Sequence, residues 1–137
     1  MKRRHLIQAA AAGAALHLTS TWAAWPEQPV KWILSQPPGS GPDNVARIMA
    51  EALAKLWSQS VVIDNRPGGQ NTVGAVAAAR AAADGSNFYF ATTAALITNP
   101  LLFKSLPYDP AKDFVPVAFV ARSPFALLVD ANSNIKT

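Results

Sequence analysis

The sequence predicts an α/β protein with a parallel-rich sheet flanked by helices, and three observations lead to that class. Short apolar runs at 30–34, 61–63 and 88–92 are each bounded by Gly, Pro, Asn, Asp or Ser. The stretches between them carry helical periodicity or helix-favouring composition. An order of strand, helix, strand, helix, strand needs crossover connections, which join parallel strands with right-handed geometry.

Val30, Lys31, Trp32, Ile33 and Leu34 lack clean alternation, as expected of a strand covered on both faces, and Pro29 is tolerable only at its start. The run stops at Ser35-Gln36-Pro37-Pro38-Gly39-Ser40-Gly41-Pro42-Asp43, and a helix follows at once. Val45, Ile48, Met49, Ala52 and Leu56 recur at steps of three and four residues and predict its apolar face. Glu51 and Lys55 form an i, i+4 pair on the wet side. Pro42 suits the first helical position, and Asp43 suits the positive end of the helix dipole.

Val61, Val62 and Ile63 form the second strand, ended by Asp64-Asn65-Arg66-Pro67-Gly68-Gly69. An alanine-dominated stretch, 72–83, predicts a second helix whose small side chains permit close packing on the sheet. Asp84-Gly85-Ser86 closes it, and Phe88 to Thr92 make the third strand. A proline-broken connector over 99–110 has room for at most one helical turn. Val115 to Ala121 and Phe125 to Val129 read as two further strands joined through Arg122-Ser123-Pro124. Trp32, Trp57, Phe88 and Phe90 are expected in the core, with Trp25 against the sheet edge.

The first 23 residues combine a basic start, Lys2-Arg3-Arg4, an uncharged run from Leu6 to Leu18 and small residues ending at Ala23. That is the pattern of a secretory signal peptide, so residues 1–23 are expected to be removed and the product to reach the periplasm. Arg3-Arg4-His5-Leu6-Ile7 also fits a twin-arginine signal. Cleavage would reduce the twelve basic residues to nine against eight acidic ones, bringing the net charge from +4 to +1. A nucleic-acid role then has no basic patch to rest on.

Both histidines, His5 and His17, lie in that leader, and there is no cysteine. The usual general base, thiol nucleophile and common zinc ligands are thereby missing from residues 24–137, which favours binding without catalysis, cofactor or metal.

A Gly-rich loop feeding a helix N-terminus presents backbone N–H groups to an anion. In parallel α/β sheets ligands sit outside the carboxyl ends of the strands, so loops 35–43, 65–71 and 92–99 are expected to share one rim. The first loop lacks both the Gly-Lys-Ser/Thr ending of a P-loop and the third glycine of a dinucleotide fingerprint. The rim loops otherwise serve a plain crossover turn, in which the glycines answer only to geometry.

Several landmarks recur in a known order: Pro38-Gly39 through Asp43, Asn65-Arg66-Pro67-Gly68, Ala83-Asp84-Gly85, Asn99-Pro100, Leu106-Pro107-Tyr108-Asp109-Pro110, Lys112-Asp113-Phe114 and Pro116-Val117. In them the chain resembles the amino-terminal part of the Bug family, the periplasmic solute-binding proteins of tripartite tricarboxylate transporters. The resemblance implies a two-lobed, Venus-flytrap fold of the type II periplasmic-binding-protein kind. Residues 24–137 would then be part of the first lobe, with the second lobe absent from this chain.

It further implies capture of a small carboxylate, di- or tricarboxylate or a related acid, for delivery to the membrane components of the transporter. By the same resemblance Pro38, Gly39, Ser40, Gly41 and Asp43 hold one end of the solute, with Thr92 and Thr93 nearby. Backbone, hydroxyl groups and water, not arginine clamps, would do the holding. The chain departs from the family pattern at Ser40 (a glycine there), at Thr92-Thr93-Ala94-Ala95 (a Thr-Ser-Gly-Thr-like segment), at Leu96 (often histidine) and at Gln70-Asn71. Other readings consistent with the residues are a ligand-sensing protein acting on a sensor kinase, a phosphate- or nucleotide-handling enzyme domain, and a truncated, inactive remnant.

Overall fold

A computed structural model describes residues 25–124 and 126–134; the leader expected at 1–23 lies outside them. Strand β1 (Val30–Leu34) is followed by α1 (Gly41–Trp57), β2 (Val61–Asn65), α2 (Thr72–Ala79) and β3 (Asn87–Phe90). Two one-turn helices, α3 (Asn99–Leu102) and α4 (Pro110–Asp113), come later. The three strands form one parallel sheet in the order β2-β1-β3, so the predicted α/β class and parallel pairing are as observed.

The central strand is buried on both faces except at Lys31, which explains why its sequence lacks alternation. Val30, Trp32 and Leu34 point to one face and form the core with Ala46 of α1. Met49, Leu53, Trp57, Val61, Ile63, Phe88 and Phe90 pack around them. Trp32 stacks on Phe90 with ring centroids 5.6 Å apart, and Trp25 meets Trp57 edge-on at 5.0 Å, covering the sheet margin.

On the opposite face α2 lies against β1 and β3. Gly74 and Ala75 are buried there, and a Cβ added at Gly74 would come within 2.8 Å of the Ser35 Cα. The small residues of this helix set how closely it approaches the strand.

Three expectations need correction. The apolar face of α1 is rotated from the one read from the sequence: Met49 packs on the core as expected and Val45 is half-buried, but Ala46 and Ala50 are the buried residues, with Leu53 and Trp57 beside them, whereas Ile48 and Leu56 are 72% and 76% exposed. The helix carries two apolar stripes, and close approach to the sheet selects the one with alanines. The second helix ends at Ala79 instead of continuing to 83, and the chain turns at Arg80.

The strands expected at 115–121 and 125–129 are not formed among the described residues. Val115, Val117, Phe119, Leu127 and Leu128 are exposed, and a β-prone segment becomes a strand only when a neighbouring backbone answers its N–H and C=O groups.

Candidate functional site: the rim at the carboxyl ends of the strands

Parallel pairing places Ser35, Arg66 and Ala91 at one end of the sheet, just past Leu34, Asn65 and Phe90. The connections leaving that end are knitted by side chains. Gln36 donates through Nε2 to Asn71 Oδ1 at 3.0 Å and to Thr92 Oγ1 at 3.3 Å, bridging all three loops. Ser35 Oγ donates to the Asn71 carbonyl at 2.9 Å and lies 2.6 Å from the Tyr89 hydroxyl. Asn99 donates to the Gln70 carbonyl at 2.7 Å, and Tyr108 secures the next segment by donating to the Ala95 carbonyl at 2.6 Å. Loops 35–43, 65–71 and 92–99 therefore do share one rim.

The β2–α2 connection is strained. Gly68, Gly69, Gln70 and Asn71 have φ of 124°, 52°, 52° and 74°, a run of left-handed residues of which two carry side chains. Gln70 and Asn71, which carry a Cβ, cost about 1 kcal/mol or more each, and hydrogen bonds from Ser35, Gln36 and Asn99 hold this run in place.

The first loop turns at Gly39, φ 81°, and enters α1 through Ser40, whose extended backbone makes it the N-cap without a side-chain capping bond. The loop's amides are unequal. Gly39 N–H donates to Asp43 Oδ2 at 2.8 Å, Ser40 N–H to the Pro37 carbonyl at 3.3 Å, and Pro42 has none. Among the described residues this leaves the Gly41 and Asp43 amides without an acceptor at the positive end of a 17-residue helix. Gly41 is exposed with open space around it, Pro38 is exposed, and Ser40 Oγ is buried with no partner.

Asp43 faces inward. It is 1% exposed, and both oxygens are engaged: Oδ2 by Gly39 and by Arg47 Nε at 2.8 Å, Oδ1 by Asn65 Nδ2 at 2.9 Å. The Arg47 hydrogen bond, opposed by burial and aided by the Gly39 amide and Asn65, holds its carboxyl at about 2. Its side chain thus shapes the loop from within, and with the residue buried the exposed Gly41 amide is the one the loop offers the rim. Thr92 joins the rim through Gln36, while Thr93 is exposed where the chain enters the π-helical segment Ala94–Thr98.

Sequence reasoning missed Gln36, Asn65, Asn71, Ser35 and Tyr89. For all but Asn71, which precedes α2, their signal was position, a polar residue directly after or late in an apolar strand, not a motif. Arg66, which could have reached an anion, instead forks onto Asp64 at 2.9 and 3.1 Å. Among the described residues no three His, Cys, Asp or Glu side chains converge to hold a metal ion. Of two open concavities, one of about 510 Å³ is lined by Pro100, Pro107 and Tyr108, next to the end of loop 92–99, and one of about 480 Å³ is lined by Trp25 and Asp84; neither is lined by residues of loops 35–43 or 65–71.

Comparison with known proteins identifies the family of the chain. A family model described as "Tripartite tricarboxylate transporter family receptor" matches residues 45–137. The chain is 41% identical over 112 residues to a UPF0065 protein of Bordetella bronchiseptica, covering 82% of this chain and 33% of that protein. It is 35% identical over 107 residues to protein BugT of Bordetella pertussis, covering 77% and 33%.

Among solved structures, MatC from Rhodopseudomonas palustris with bound malate superposes with a TM-score of 0.62 at 31% identity, over 70% of this chain and 33% of that one. An R. palustris protein with adipate gives 0.61 at 36% identity, over 64% and 29%. The chain spans about a third of the length of the relatives it matches.

Proposed function

Because the chain belongs to the tripartite tricarboxylate transporter receptor family, we propose that it forms one wall of a periplasmic site that captures a small carboxylate for such a transporter, without catalysis. The observation that carries this reading is the rim itself. Three loops are locked together by Gln36, and the exposed Gly41 amide at the start of α1 has no acceptor.

A carboxylate oxygen set against the exposed Gly41 amide would meet the helix's positive end, with the carboxamide of Gln36 and the hydroxyl of Thr92 in the chain's own rim. Arg47 and Arg66 are bound to Asp43 and Asp64, so recognition rests on amides and hydroxyls. The relatives' ligands, malate in one and adipate in another, have the matching chemistry.

One helix end contributes about 0.3–1 kcal/mol, up to about 2 when partly buried, whereas micromolar binding needs about 8 kcal/mol. Most of the affinity must therefore come from a facing wall, for which the relatives' longer chains have room. We read residues 24–137 as part of one lobe, closing on the solute by hinge motion against another. Residues 1–23 serve as the export signal, and mass spectrometry of the secreted product would place its start at Ala24.

Calorimetric titration of the exported protein with malate, adipate and citrate tests the binding reading. Heat with at least one of these acids is expected. Flat traces across all of them would refute it.

A further inference from the structure

The last residue of β2 makes three side-chain hydrogen bonds to the first loop and helix. Asn65 Nδ2 donates to the Gln36 carbonyl at 3.0 Å and to Asp43 Oδ1 at 2.9 Å, and Asn65 Oδ1 accepts from Arg47 NH2 at 3.1 Å. Arg47 Nε and the Gly39 amide complete the cluster, each 2.8 Å from Asp43 Oδ2. Both hydrogens and the oxygen of the carboxamide are engaged. Its orientation is determined, because the flipped amide would set its oxygen against a carboxylate.

We propose that Asn65 is the positioning residue of the rim, fixing the two sides of the turn between Gln36 and Asp43 at once. This rests on the carboxylate-binding reading above. On the Asp43 side, Asn65 and Arg47 hold the carboxylate where it draws the Gly39 amide inward, so the turn leaves the exposed Gly41 amide as its outward donor. On the Gln36 side, the anchored carbonyl fixes the origin of the side chain that bridges Asn71 and Thr92. Asn65 itself need touch no solute. A strand end in one loop thus sets the geometry of donors in another, and neither Asp43 nor Arg47 alone reaches β2's partner loop at Gln36.

The test uses the whole protein with malate as the probe and compares wild type, Asn65→Asp and the double variant Asn65→Asp/Asp43→Asn. The first keeps the side chain's size and its acceptor for Arg47, but it removes the donors and places a second carboxylate beside Asp43. The double variant returns one donor–acceptor pair between the two positions and the original charge count.

Three quantities are read: exchange of the Gly39 amide by NMR, malate affinity, and far-UV circular dichroism. Asn65→Asp is expected to speed Gly39 exchange by about tenfold and to weaken malate binding by about tenfold, a loss of roughly one charged hydrogen bond, with the helical signal retained. The double variant is expected to recover most of the Gly39 protection and part of the affinity. Wild-type Gly39 exchange in Asn65→Asp would overturn the inference, and so would no recovery of either quantity in the double variant. If the wild type itself fails to bind malate or any other acid tested, the functional reading falls, and Gly39 exchange still decides the role of Asn65.

Discussion

Ser35 and Tyr89 hold their hydroxyl oxygens 2.6 Å apart at the carboxyl end of the sheet, joining the end of β1 to β3. Ser35 has one hydrogen, and it goes to the Asn71 carbonyl at 2.9 Å, so the phenol is the donor in the shorter bond. Burial, with the nearby Tyr108 adding to it, pushes the Tyr89 phenol up to about 12 against the smaller effect of Ser35.

A phenol whose folded pKa lies above its ordinary 10.0 contributes stability that is complete below pH 10 and lost as the pH rises through about 12. Tyr89→Phe is expected to cost about 1 kcal/mol at neutral pH and to flatten this alkaline decline. Urea denaturation at pH 8 and pH 11 checks both; equal alkaline slopes in the two proteins would count against the assignment.

Asp43 supplies the acid counterpart. Its folded pKa of about 2 lies below the ordinary 3.8, so its contribution is present above pH 4 and disappears as the pH falls through about 2. Asp43→Asn is expected to lose about 1–2 kcal/mol at pH 7 and to show a shallower stability change between pH 4 and pH 2. Thermal denaturation across that interval reads the difference.

Gly74 and Gly41 form a contrasting pair. A Cβ at Gly74 meets Ser35 backbone at 2.8 Å, whereas one at Gly41 meets nothing within 4 Å. Gly74→Ala is expected to destabilise by about 1–3 kcal/mol by forcing α2 off β1, and Gly41→Ala to stay within about 0.5 kcal/mol. Comparable midpoints for the two in denaturant would contradict the packing described.

The two stripes of α1 separate in the same way. Ile48→Lys and Leu56→Lys are expected to alter stability by less than about 0.5 kcal/mol in the chain, while Ala46→Leu costs about 1–3 kcal/mol by overfilling the space against Trp32 and Leu34.

Local patterning in the residues was sufficient for β1, β2, β3 and the start of α1, because a strand buried on both faces and a Gly-Pro-Asp helix entry leave marks readable within a few positions. The shared rim was legible too, as a consequence of parallel order. Which side of α1 is buried was legible only in part: Val45, Ile48, Met49, Ala52 and Leu56 align as well as Ala46, Met49, Ala50, Leu53 and Trp57, and packing against the sheet keeps Met49 while leaving Ile48 and Leu56 outside. The stretch from Val115 to Val129 shows the limit from the other side, since strand-forming composition does not supply a partner.

Composition and order along the chain determined the parallel α/β class, the carboxyl-end location of the rim and its family. Tertiary structure alone decided that Gln36 bridges the loops and that Asn65 ties them to Asp43, because those outcomes depend on hydrogen bonds between residues 18 to 56 positions apart. A periodic pattern records which faces are apolar; it does not record which polar groups, brought together from distant loops, will find each other once water is excluded.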